Sequence, residues 1–197
     1  MHVLNQRHGW LHALVFVCLV SLTFACPAQA NDRAQRIKEK QAREVTELKE
    51  KVPVAIRAML RQDSTLQRLL DGSAGYVVFP SIGKGGFVFA GAHGKGLVYE
   101  DGELVGLASV SQATVGAQIG GQVYREVIFF ETRDALLAFK QSNVELSAQV
   151  AAIAAAEGAA ASARYSEGVI IYTDPIKGLM AEASVGGQKF SYTPLDE

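Results

Sequence analysis

Cysteine is scarce in this 197-residue chain: there are two, Cys18 and Cys26, and both precede residue 31. A chain cut after Ala30 would have none, which excludes a disulfide framework, thiol catalysis and thiolate metal sites. Histidine is nearly as rare. Three of four, His2, His8 and His12, lie in the first dozen residues, and only His93 follows. One imidazole and no thiol make a structural zinc site a poor expectation. Long apolar runs are also missing. The stretch Leu14–Ala25 is short of the about 20 residues that a membrane-spanning helix needs.

Nucleotide and hydrolase signatures are absent too. Two Gly-Lys-Gly triplets, Gly83-Lys84-Gly85 and Gly94-Lys95-Gly96, suggest a phosphate loop. A P-loop, however, requires glycine where Phe89 stands and Ser or Thr where Gly96 stands. A dinucleotide fingerprint fails at Val88. No G-x-S-x-G follows Ala30, and no spacing builds a triad around His93. The residues give no support for an enzyme, a cofactor, a metal or a nucleic-acid partner.

What is present begins with an export signal. Arg7 and the early histidines precede the apolar run, and Ala28-Gln29-Ala30 is a small-residue cleavage site. Residues 1–30 are therefore expected to be a signal peptide, with a periplasmic or exported product. Cys26 offers the alternative of a lipoprotein, although Thr23 and Phe24 suit that processing poorly. Residues 31–197 are long enough for one folded unit, divided into a helical region, 31–72, and a glycine-rich β region, 73–197. Charge is unevenly spread. Residues 33–68 hold ten basic and five acidic side chains, while residues 69–197 hold eight and fourteen. A basic front on an acidic body suits an anionic surface, though charges on a helix often serve only solvation.

Ala34, Ile37, Gln41, Val45, Leu48 and Val52 recur at helical spacing, and Asn31 or Asp32 is placed to cap that helix. Pro53 is expected to open a second helix, and Ser64 with Gln67 a third, by a capping box. Were those last two pieces continuous, Arg57, Arg61 and Arg68 would share a face. After Gly72 come short β-branched and aromatic segments separated by glycine: "GYVVFP", "GFVFAGA", "GLVYE", "LVGLASVS" and "QVYREVIFFE". Asp101-Gly102 marks a hairpin, and Thr132 caps a short helix. Residues 143–151 alternate like a strand, and the alanine tract to Ala163 reads as irregular or partly helical. The fold class is α+β: N-terminal helices on a curved, mostly antiparallel sheet that could approach a barrel.

The segment from Gly75 to Gly102, with its "GF…G…GKG" cadence, then Gly116-Ala117-Gln118-Ile119-Gly120-Gly121, then Gly178, Leu179, Ala181, Ser184 and Gly186, resembles the SYLF domain family. The likeness covers about residues 36–194. That family includes yeast actin-patch proteins, animal phosphoinositide-binding adaptors and bacterial envelope proteins. The resemblance implies binding of anionic or phosphoinositide-like headgroups without catalysis, and leaves the native lipid open. The candidate contacts are Lys84, Lys95 and His93 in the glycine-rich stretch, then Arg57 and Arg61 on the helical front. The two lysines are expected on neighbouring turns. A structural or protein-interaction role, with the 33–51 helix docking an envelope partner, is the alternative.

Overall fold

The computed structural model describes residues 27–141, 144–146, 152–154, 156–185 and 188–195. The apolar run and Cys26 lie outside them, and so do parts of the 143–151 segment. The chain divides into two units, Met1–Arg43 and Glu44–Glu197. Helix α1, Pro27–Gln62, begins in the first and ends in the second. It starts ahead of the anticipated cap, and Asp32 instead pairs with Arg36 one turn on, at 3.1 Å. Residues 31–40 are all exposed.

In the second unit the helical stripe becomes a buried one. Val45, Leu48, Val52, Ala55 and Met59 fall at three- and four-residue steps, and each is at most 7% exposed. Pro53 does not start a new helix; it lies inside α1. The backbone bond it forfeits is the one to the Lys49 carbonyl, and both residues face solvent, so water can take that carbonyl. α1 ends at Gln62, and α2, Leu66–Gly72, follows a break at residues 63–65. The cap is not the Ser64–Gln67 box. Thr65 is the N-cap residue, without a side-chain cap bond. Asp63, fully buried, organises the break instead.

Two strands dominate the sheet. β1, Gly75–Glu100, and β2, Glu103–Phe130, form one long hairpin. Its turn is Asp101-Gly102, with φ of 50° and 82°, the doubly positive geometry of a type I′ turn. The expected short strands are thus runs of single strands. Glycine does not end them, because ladder pairing holds the backbone along nearly their whole length. Register shifts fall at Phe79/Ile82, Phe87/Phe89 and Val98/Tyr99. The first contains Pro80, which cannot donate to a ladder.

β2 is central. One edge pairs with β1. The other pairs first with β6, Gln188–Pro194, over Gly106–Gln112, and then with β5, Val169–Val185, over Val115–Phe130. Two three-residue strands finish the edges: β3, Val144–Leu146, antiparallel to β6, and β4, Ala152–Ala154, parallel to β5. Among the described residues the sheet has six strands, is mostly antiparallel and does not close into a barrel. The alanine tract also holds one helical turn, α4, Ala159–Ser162. α3, Arg133–Gln141, is capped by Thr132 Oγ1, which accepts from the Ala135 amide at 3.2 Å.

The sheet has a core on each face. Val78, Leu97, Val127, Phe129, Ile170 and Tyr172 join α1 and α2 in one cluster. Val77, Phe79, Ile82, Val98, Ile128 and Phe190 join Leu136 and Phe139 of α3 in the other. The long strands bend back on themselves. A Cβ on Gly96 would lie 2.5 Å from the Val78 carbonyl of its own strand. Phe79 meets Phe190 with ring centres 5.8 Å apart, although their β2 partners, Glu126 and Val110, are far apart along that strand.

Candidate functional site

The five candidate side chains divide among three places. Lys84 and Lys95 are both inside β1 rather than on neighbouring turns. Lys84 follows Ile82, which belongs to the α3-side core, and Lys95 precedes Leu97, which belongs to the α1-side core. Side chains two apart on a strand share a face, so the two lysines lie on opposite faces. Lys95 pairs with Glu44 of α1 at 3.5 Å. His93 is exposed, two residues before Lys95 on the same face, and its register partner is Ser111. Arg57 and Arg61 are exposed one turn apart on α1. Arg68 does not continue their row. It belongs to α2, and its guanidinium donates to the Ala160 and Ala161 carbonyls at 2.7 and 3.2 Å.

The surroundings of Lys84 are distinctive. Its register partner on β2 is Gln122, whose β5 partner is Gly178. The next rows pair Gly85 with Gly121 and Gly86 with Gly120. A Cβ on Gly83 would meet nothing within 4 Å, and one on Gly85 would meet the Gly120 carbonyl oxygen no closer than 3.6 Å. Neighbours on a strand alternate, so these open positions lie on the face opposite the Lys84 side chain, and the lysine stands in a stretch of β1 with no bulky flanking residue.

A cleft of about 530 Å³ lies elsewhere. Asp71, Ser73, Tyr76 and Asp101 are on its wall. Burial and then the Asp71 charge push the Tyr76 hydroxyl above its ordinary value. Carboxylates give this cleft the wrong sign for an anionic headgroup, and none of the five candidate residues lines it. Among the described residues no group of three or more His, Cys, Asp or Glu could hold a metal, and no helix is long and apolar enough to cross a membrane, which says nothing of strands.

Three polar groups escaped the sequence reading. Asp63 accepts from the Ala160 amide at 2.8 Å, from the Gly158 amide at 3.2 Å and from the Thr65 amide and hydroxyl, at 3.0 and 2.5 Å. Burial alone would raise its carboxyl, but these bonds outweigh it and hold the group below the ordinary aspartate value. Asp174, 2% exposed, pairs with Arg125 at 2.6 Å. Beside it, Tyr172 is pushed up to about 12 by burial, Asp63 and Asp174. Glu126 is 1% exposed on the opposite face. Of the three, only Glu126 left a signal: it interrupts an alternating row of Tyr124, Ile128 and Phe130.

The family Ysc84, described as Las17-binding protein actin regulator, matches residues 111–193. The curated protein "Beta cell expansion factor A" of Aeromonas veronii is 36% identical over 78 residues, which cover 40% of this chain and 30% of that protein. The chain thus spans under a third of that relative's length.

Proposed function

We propose that the protein, similar to the Ysc84 (SYLF) family over residues 111–193, is a non-catalytic phospholipid-binding protein of the bacterial cell envelope. It meets the membrane peripherally, through anionic headgroups. The observation that carries the reading is Lys84 on the Ile82 face of β1, flanked by Gly83 and Gly85 so that no bulky neighbour crowds it along the strand. Each basic group near a charged surface contributes about 1 kcal/mol. Exposed Arg57 and Arg61 add to the positive potential, and Lys95 and His93 are secondary. The product is exported after cleavage near Ala30 or is anchored at Cys26.

Vesicle flotation tests this reading. The protein should float with phosphatidylglycerol-containing vesicles, stay behind with pure phosphatidylcholine, and release as salt rises. No flotation on acidic vesicles at low salt would end it. One observation favours a second reading, docking of an envelope protein on the 33–51 helix. Ile37 is 59% exposed on the otherwise polar first stretch of α1. Ile37→Glu would abolish that docking and leave flotation intact.

A further inference from the structure

The α3-side core contains a buried carboxyl group that the lipid reading does not use. Glu126 stands on β2 with 1% of its surface exposed. Its Oε2 accepts from Gln188 Nε2 at 3.0 Å, and the same amide donates to the Tyr124 hydroxyl at 3.4 Å. Oε1 is buried with no hydrogen-bond partner among the described residues. Gln188 opens β6, which pairs with β2 over Gly106–Gln112, whereas Glu126 lies in the half of β2 paired with β5. The bond therefore joins β6 to a part of the bent sheet with which, among the described residues, it shares no ladder.

The register partners of Glu126 are Phe79 on β1 and Thr173 on β5. Charged groups on the neighbouring elements have other positions. Arg125 and Asp174 pair with each other, and Lys140 of α3 bonds Glu100. Lys189 is in register with Glu145, and Lys84 with Gln122. A carboxylate in such a place must either hold its proton or leave a charge in a hydrophobic core.

We propose that Glu126 is a proton-operated latch: protonated, it keeps β6 fastened across the bent sheet, and on ionising it lets β6 open. Burial drives its carboxyl up to about 7, against the opposing Gln188 hydrogen bond. The opened strand would return it to the ordinary 4.5. Between those values the closed form holds a proton that the open form has lost, so the opening equilibrium rises roughly tenfold per pH unit. Above about 7 both forms are ionised and the dependence ends. The latch is independent of what the protein binds.

Hydrogen exchange of the β6 amides in the full chain reads this directly, after correction for intrinsic exchange. From about pH 5 to about pH 7 the wild-type opening equilibrium should rise roughly a hundredfold and then level. Glu126→Gln should show no such rise. Equal pH dependence in both proteins overturns the latch. Should Glu126→Gln fail to fold, infrared titration of the wild-type carboxylic acid band decides. Loss of a protonated-acid band near pH 7 supports the proposal, and absence of any acid titrating above the ordinary glutamate range overturns it.

Discussion

The two Gly-Lys-Gly triplets of β1 have the same residues and different physics. In the second, a Cβ at Gly94 would lie 2.7 Å from Ile82 Cγ1, and one at Gly96 would lie 2.5 Å from a backbone oxygen and 2.8 Å from Phe79 Cδ1. Those glycines exist because the strand folds back onto its own first half, and their lysine pairs with α1. In the first triplet the positions a Cβ would take are open, and the lysine belongs to the other face. Identical motifs thus separate into a packing device and a candidate contact. Composition alone could not make that distinction, because glycine is demanded equally by close backbone approach and by an exposed anion cradle.

That contrast can be broken experimentally. The largest effect should come from Gly96→Val, whose added atoms meet backbone that cannot move aside. We expect a loss of about 3 kcal/mol or more in urea unfolding. Gly83→Ala should change stability by no more than about 0.5–1 kcal/mol. Equal losses at both positions would erase the difference between the triplets.

Next in size is Asp63→Ala, which strips the 158–160 backbone of its acceptor and should cost about 2–3 kcal/mol. Its pH dependence has a definite sign. The folded-state value is depressed, so the wild-type advantage is full above the ordinary aspartate value and shrinks as pH falls through the lowered one. Unfolding curves at neutral and acid pH check this. The smallest effect belongs to Lys95→Met. Its ion pair is partly exposed and 3.5 Å long, so thermal unfolding should register under about 0.5 kcal/mol.

Much of the fold was legible in local chemistry. Asp101-Gly102 specified the hairpin turn, Thr132 capped α3, and the spacing of Val45, Leu48 and Val52 marked the buried side of α1. The misreadings have one origin: tertiary pairing overrides local punctuation. Pro53 sits inside a helix because its neighbouring carbonyl is wet, and glycines sit inside β1 because β2 pairs with them throughout. Asp63 was unreadable because two of the three amides it accepts from lie more than 90 residues away. Of the candidate site, the residue types were legible and their grouping was not. Eleven residues separate Lys84 from Lys95, so one unbroken strand puts them on opposite faces, and local glycine punctuation hid that β1 is a single strand.

The central claim is that the first triplet, not the second, meets anionic lipid. The most direct test is flotation of Lys84→Glu and Lys95→Glu side by side on phosphatidylglycerol vesicles at fixed low salt. Reversing one contacting charge should cost about 2 kcal/mol, roughly thirtyfold in binding, for Lys84→Glu. Lys95→Glu should bind within a few-fold of wild type. Equal losses, or a larger loss at Lys95, would contradict the account.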